Sequence, residues 1–109
     1  MKIDFNEIEE KAIPAFKGGE KEFNVWMFTD RMNKIMKGRL KPGASIGMHT
    51  HEGNSEIMFI TKGSGYVIFD GEKLALKAGD VHYCPSGHSH SLVNDGDSDL
   101  EFSAVVPQQ

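Results

Sequence analysis

The decisive part of this chain is residues 43–63, GASIGMHTHEGNSEIMFITKG, followed by residues 79–94, GDVHYCPSGHSHSLVN. Both stretches contain glycines, histidines and other chemically distinctive residues at defined spacings. The spaced residues are Gly43, His49, His51, Glu56 and Gly63 in the first stretch and Gly79, Pro85, Gly87, His90 and Asn94 in the second. Together they offer three imidazoles and one carboxylate, which is a ligand set for a divalent transition metal.

The spacing within the first stretch suits two β-strands. Side chains two residues apart in a strand point to the same face, so His49 and His51 are able to bind one ion. Residues 52–55 have the composition of a turn, and residues 56–61 are expected to return antiparallel to the histidine strand. The sequence therefore predicts that Glu56 lies across from the two histidines.

The fourth ligand has to come from the second stretch. Pro85 and Gly87 bracket a tight turn between two strands, and His90 opens the second of these strands. Taken alone, any one of these histidines is more simply explained as a hydrogen-bonded surface or core residue. As a set with a carboxylate, they are typical of a metal or catalytic site.

Both spaced patterns resemble the two signature motifs of the cupin superfamily, and the fifteen residues between Gly63 and Gly79 are similar to the spacer of its small bacterial single-domain members. The resemblance implies an all-β fold, a double-stranded β-helix or jelly-roll barrel. It carries the role of metal ligand onto His49, His51, Glu56 and His90. It does not carry over a reaction, because cupins include enzymes of many classes and members without catalysis.

Composition is consistent with a small all-β domain. The chain has 109 residues, 39% hydrophobic and 26% charged, with twelve glycines and four prolines between short β-prone stretches. We expect a single domain over residues 1–109, with an irregular or partly helical lead-in at residues 1–20. The net charge of −4 argues against nucleic-acid binding. Lys37, Arg39 and Lys41 lie at alternate positions and are expected to form a solvated sheet face.

The location of the protein is predicted to be cytoplasmic. Cys84 is the single cysteine, so no intramolecular disulfide can form, which fits a reducing compartment. No apolar stretch is long enough for a secretion signal or a membrane span, and no membrane association is expected.

Alternating and β-branched patterns predict nine strands. They are residues 22–29, 34–40, 49–51, 56–61, 66–69, 72–76, 81–84, 89–93 and 100–106. Asp70 and Gly71 form a two-residue hairpin signal. Trp26, Met27 and Phe28 form an apolar run that faces both sides of its strand, which predicts a homodimer interface.

Five residues outside the predicted ligand set are candidates for catalysis or further ligation. Tyr66 and Tyr83 are candidate proton donors in a pocket, although an interior tyrosine is more often a packed aromatic. His88 lies two residues before His90, but the turn at Gly87 breaks the alternation and favours a rim or surface position for His88. His82, like His88 and the two tyrosines, is a candidate general base without strong positional support. Cys84, as a possible nucleophile, lacks an activating partner and is expected to be a small buried side chain.

A site of this kind constrains the ligand more than the reaction. Four ligands in an octahedral arrangement leave two open positions, and three neutral imidazoles with one carboxylate give a divalent ion a net charge of about +1. The expected ligand is a small anionic oxygen donor, a carboxylate or a polyol such as a sugar acid. Iron, manganese, nickel, cobalt and zinc all accept these ligands.

Three function classes remain open. The favoured one is a metal-dependent enzyme of dioxygenase or decarboxylase type, an oxidoreductase or lyase. Within it, the small and apolar residues 44–48 argue against the oxalate decarboxylase and oxidase branch, and the glutamate ligand argues against cysteine dioxygenases. The alternatives are a sugar or sugar-acid isomerase, epimerase or lyase, which needs a general base, and a small-molecule-binding module without turnover.

Overall fold

The computed structural model describes residues 1–109 and contains ten β-strands and two short 3₁₀ turns. The strands are β1 (Lys11–Pro14), β2 (Glu22–Thr29), β3 (Asn33–Leu40), β4 (His49–Thr50), β5 (Glu56–Lys62), β6 (Ser64–Phe69), β7 (Glu72–Lys77), β8 (Val81–Cys84), β9 (Ser89–Val93) and β10 (Leu100–Pro107). The predicted all-β class is confirmed. For β2, β8 and β9 the predicted bounds match those of the structure.

The strands form two antiparallel sheets. The larger sheet has the order β1-β2-β3-β10-β5-β8, and the smaller has the order β4-β9-β6-β7. Strand β10 shows why they pack face to face: its residues alternate between buried and half-buried along its whole length, as expected for a strand with one face on a core. The predicted jelly-roll barrel is therefore the observed architecture.

A cluster of 15 buried apolar side chains from both sheets fills the barrel. Phe102 is fully buried at its centre and stacks on Phe23 with ring centroids 5.9 Å apart. The adjacent strand makes room for this ring with Gly38, because a Cβ there would lie 2.4 Å from Phe102 Cζ. Packing of this density makes the barrel a rigid support for the side chains at its mouth.

The prediction that the histidine strand and the Glu56 strand form a hairpin is wrong. Strand β4 pairs with β9 in the smaller sheet, whereas β5 pairs with β10 and β8 in the larger sheet. Residues 52–55 carry the chain from one sheet to the other instead of reversing it within one. Glu56 consequently approaches the histidines from the opposite wall of the barrel.

The lead-in at residues 1–20 is more ordered than the sequence indicates. It contains 3₁₀ turns at Phe5–Glu7 and Phe16–Gly18, and between them strand β1 pairs with β2. Strand β1 was missed because it is an edge strand with mostly exposed residues, so it lacks the alternation of apolar residues that identifies a strand. No helix in the structure has the length and apolarity needed to cross a bilayer.

The outer face of the larger sheet carries both charged and apolar residues. Lys37 and Arg39 lie over the Trp26 ring, with Lys37 Nζ 4.9 Å and Arg39 Cζ 5.4 Å from its centroid. Phe59 and Tyr83 are about half exposed on this face, at 46% and 53%. The face is therefore mixed in character and not uniformly solvated.

Candidate metal centre

The four predicted ligands meet at one point inside the barrel mouth. One donor atom from each of His49, His51, Glu56 and His90 lies within 4.8 Å of the other three. Strand β4 supplies His49, the residue after it supplies His51, and strands β5 and β9 supply Glu56 and His90. Both sheets therefore contribute to the site.

Backbone hydrogen bonds join the two sequence motifs. His49 and His90 are direct partners in the β4–β9 ladder. The turn between β8 and β9 holds His51 on both sides: the Gly87 N–H donates to the His51 carbonyl over 2.6 Å, and the His51 N–H donates to the His88 carbonyl over 3.0 Å. Gly87 has a φ of 88°, which glycine adopts readily. The fixed spacing of glycine and histidine in the second motif thus positions a ligand of the first.

The separations of the donor atoms fit a single metal ion. His90 Nε2 lies 3.0 Å from His51 Nε2, 3.1 Å from His49 Nε2 and 3.0 Å from Glu56 Oε1, and His51 Nε2 lies 3.3 Å from the same oxygen. An ion about 2.1 Å from two ligands at a right angle separates them by about 3.0 Å. These four separations match neighbouring vertices of an octahedral site, and the other two donor pairs lie within 4.8 Å.

Each histidine has a partner on its outer nitrogen. His49 Nδ1 lies 2.7 Å from the Gly47 carbonyl oxygen, and His51 Nδ1 lies 2.8 Å from Asn54 Oδ1. Because both partner oxygens accept, each ring carries its proton on Nδ1 and turns the Nε2 lone pair towards the centre. This arrangement prepares both rings to bind a cation.

His82 is the corresponding partner of His90, a role that the sequence did not assign. His82 is 5% exposed, and its Nε2 lies 3.0 Å from His90 Nδ1. Burial, reinforced by the nearby His90, lowers the pKa of His82 to about 4, so the ring is neutral and its Nε2 is able to accept a hydrogen bond from the His90 Nδ1–H. The signal for this contact was the alternation in β8, which turns His82 inward with Cys84.

The buried Glu56 carboxylate is stabilised by positive charge in the cluster. Burial alone raises the pKa of Glu56, but hydrogen bonds from His51 and His90 outweigh it and lower the pKa to about 2. The Glu56 hydrogen bond raises the pKa of His51 against the effect of burial, whereas burial lowers the pKa of His49. A buried carboxylate of this kind needs a proton on a neighbouring ring or a bound cation.

A cavity of about 230 Å³ opens beside the cluster. His49, His51 and Glu56 form one part of its lining. The apolar part is formed by Phe16, Phe23, Met27, Met36, Ile46 and Val106. The remaining lining residues are polar or charged: Lys17, Lys34, Thr50, Glu52 and Asn54. A small ligand in this space contacts the ion position, apolar walls and two lysines that the sequence analysis did not single out.

The proposed proton donors do not line this cavity. Tyr83 is 53% exposed and lies between the inward-facing His82 and Cys84. Tyr66 alternates with buried neighbours on β6, and the Lys73 ammonium covers its ring at 4.2 Å from the centroid. Both tyrosines therefore face outward, which removes the basis for a role in proton transfer here.

His88 and Cys84 are also outside the site. The His88 side chain is 45% exposed, hydrogen bonds to Asp70 and stacks on Phe69 with centroids 5.6 Å apart. This is the surface position that the turn at Gly87 favoured. Cys84 is fully buried, and burial raises the pKa of its thiol to about 11. A protonated interior thiol is a poor nucleophile.

Comparison with known proteins identifies the family. The cupin domain family matches residues 36–106. The chain is a cupin. An oxalate-binding protein from Thermotoga maritima is 38% identical to this cupin over 112 residues, which cover 97% of the chain and 93% of that protein.

Solved structures agree with the assignment. A Thermotoga maritima crystal structure described as a predicted oxalate decarboxylase matches this cupin with a TM-score of 0.93 and 35% identity over 100% of both chains. A sugar phosphate isomerase of the cupin superfamily from Silicibacter pomeroyi has a TM-score of 0.83 at 22% identity, covering 100% of this chain and 76% of that one. The second likeness concerns the fold alone.

Proposed function

We propose that this cupin binds one divalent transition metal through His49, His51, Glu56 and His90 and uses it to hold a small carboxylate. The observation that carries the proposal is the spacing of the four donor atoms, with the outer nitrogens of the histidines already hydrogen bonded. Iron, manganese, nickel, cobalt and zinc remain the candidate ions.

Two observations favour a carboxylate as the ligand: the net charge of the bound ion and the similarity to an oxalate-binding protein. A divalent ion beside one carboxylate keeps a charge of about +1, and the apolar walls exclude water and strengthen its attraction for an anion. The relative that spans nearly the whole chain is named an oxalate-binding protein. Of residues 44–48, the cavity lining contains Ile46 alone, so the small residues among them do not exclude oxalate as a ligand.

The favoured activity is a metal-dependent conversion of a small carboxylate, as an oxidoreductase or decarboxylase. The ion would supply Lewis acidity and, with iron or manganese, redox chemistry at its open positions. The side chains of the cavity would orient the ligand and limit access of water. Binding without turnover is the second candidate, favoured by the oxalate-binding relative. An isomerase is less favoured, because the tyrosines nominated as its proton donors face outward.

The experiment begins with elemental analysis of protein purified without added metal. Protein loaded with iron or manganese is then incubated with oxalate and other small acids while O₂ uptake and CO₂ release are recorded. Glu56→Gln serves as the matched control, because it keeps the shape of the ligand and removes its charge. Wild-type protein that retains no metal after loading and gel filtration would refute the proposal.

We also propose that this cupin forms a homodimer through the outer face of its larger sheet. Support comes from Phe59 and Tyr83, which are large side chains left about half exposed there, at 46% and 53%. Sedimentation should show a species of twice 12.1 kDa at micromolar concentration, and a monomer alone would refute it. A cytoplasmic location stays a prediction, consistent with the lone buried Cys84.

A further inference from the structure

Residues 15–21 form a segment, here named the strap, that lies against residues 45–47 of the first motif. The Gly47 N–H donates to the Phe16 carbonyl over 3.0 Å, and the Ser45 N–H donates to the Glu20 carbonyl over 3.0 Å. Gly47 also accepts the Nδ1–H of His49 on its carbonyl oxygen. A single residue, Gly47, thus links the strap to the metal ligand His49.

Two glycines let the strap approach this closely. A Cβ on Gly47 would lie 1.9 Å from the Lys17 carbonyl oxygen, and a Cβ on Gly19 would lie 2.1 Å from the Ser45 carbonyl oxygen. Neither position tolerates a side chain without movement of the backbone. The backbone of Lys17, which has a left-handed φ of 56°, is therefore held in place by direct contact with the first motif.

The strap brings Lys17 to the cavity, and strand β3 brings Lys34. Both residues belong to the cavity lining. Lys34 shares the inward face of β3 with Met36, and the Lys17 ammonium lies 5.7 Å from the centroid of the Phe16 ring, which is itself part of the cavity wall. Both lysines are exposed to solvent, and the fold fixes the positions of their backbones beside the cavity.

Neither ammonium is neutralised within the protein. Three other lysines have polar partners, since Lys21 donates to the Pro42 carbonyl, Lys62 pairs with Glu101 and Lys77 pairs with Asp80, whereas the remaining lysines of the chain have none. Lys17 and Lys34 have no hydrogen bond or ion pair through Nζ. Apart from Glu56, the cavity lining contains one acidic residue, Glu52, so two ammonium groups face one carboxylate. The cavity therefore carries an unmatched positive charge beyond that of a bound metal ion.

We propose that Lys17 and Lys34 form an anion subsite distinct from the metal position, which makes a short dicarboxylate the preferred ligand. One carboxylate binds the metal, the other binds the lysines, and the apolar walls contact the carbons between them. The inference rests on the proposed function, since it presupposes a metal-bound carboxylate. The cavity volume of about 230 Å³ corresponds to roughly seven or eight water molecules. This space accommodates a longer diacid than oxalate.

Calorimetric titration of the manganese-loaded protein tests the subsite. Succinate and malonate serve as dicarboxylates and butyrate as the monocarboxylate, all at about 0.15 M salt. Lys17→Met and Lys34→Met should each weaken succinate binding about tenfold, while butyrate binding changes less than about twofold. Lys17→Arg should bind succinate as the wild type does, because it keeps the positive charge.

Matched controls separate the subsite from general charge effects. Lys21→Met removes a charge from the same strap, and Lys37→Met removes one from the opposite face of the same strand; neither residue lines the cavity. Both controls should bind succinate as the wild type does, and all variants should retain one equivalent of manganese. An equal loss in Lys21→Met and Lys17→Met would overturn the inference.

The two proposals fail in different ways. Wild-type protein that binds butyrate and succinate equally, with manganese in place, refutes the dicarboxylate subsite and leaves the metal-bound carboxylate intact. Unchanged succinate affinity in Lys17→Met and Lys34→Met also refutes the subsite. Manganese-loaded protein that binds no carboxylate of any kind refutes both proposals together.

Discussion

Replacing His82 with phenylalanine tests whether the ring behind His90 controls metal affinity. His82 is 5% exposed, and its Nε2 lies 3.0 Å from His90 Nδ1. Phenylalanine keeps an aromatic ring in the same interior position but offers no acceptor. When a metal occupies Nε2 of His90, the proton on Nδ1 is then left without a partner in the barrel interior.

The expected loss can be worked out from that orphaned proton. Without metal, His90 is able to carry its proton on Nε2 and donate it to Glu56 Oε1, 3.0 Å away, so the penalty falls on the metal-bound state. A buried donor without a partner costs about 1–3 kcal/mol. Since about 1.4 kcal/mol is a factor of ten, the dissociation constant for metal should rise about 5-fold to 140-fold.

Competition with a chelator of known affinity measures this change, and thermal unfolding in EDTA establishes that the metal-free variant is folded. His88→Phe is the control, because the His88 side chain is 45% exposed and contacts Asp70 rather than a ligand. Its metal affinity should stay within about twofold of the wild type. A folded His82→Phe protein with wild-type metal affinity would show that the contact with His90 does not support the site.

Three further outcomes are expected. The double variant His49→Ala with His51→Ala should lose bound metal but keep a β-type circular dichroism spectrum, and a full equivalent of metal by elemental analysis would contradict the ligand assignment. Burial raises the pKa of the Cys84 thiol from 9.0 to about 11. Native protein at about pH 8 should therefore react with iodoacetamide roughly a hundredfold more slowly than unfolded protein, as followed by mass spectrometry. Equal rates would count against a buried, protonated thiol. Gly47→Ala should lower the free energy of unfolding by roughly 1–3 kcal/mol, because its Cβ would lie 1.9 Å from the Lys17 carbonyl oxygen; an unchanged urea midpoint would contradict this.

The sequence predicted the strands because they depend on local patterns, and it predicted the ligand cluster because two distant motifs resemble those of the cupins. Strand β8 at Val81–Cys84 and strand β9 at Ser89–Val93 have the predicted bounds, since turn residues flank short β-prone runs. The grouping of Glu56 with three histidines followed from the spacing of two motifs. Alternation along a strand is visible in a single sequence, and so are the glycines that end it.

Long-range pairing was harder to predict than strand identity. The placement of β4 and β5 in opposite sheets depends on hydrogen bonds between distant residues, such as Gly87 to His51, which local composition does not reveal. The inward position of His82 depends on which face of β8 meets the core. The position of Lys17 beside the cavity could not be predicted for a related reason. An irregular segment has no periodicity that indicates where its side chains lie.

The strap has an evolutionary consequence. All four residues proposed to hold the metal fall within residues 36–106, the region shared with the cupin domain family, whereas Phe16, Lys17 and Lys34 precede it. On the proposed anion subsite, substitutions of the Lys17 and Lys34 side chains would change which acid binds, while the four proposed metal ligands stay the same. Related cupins could thus differ in the acids that they bind while keeping the same metal site.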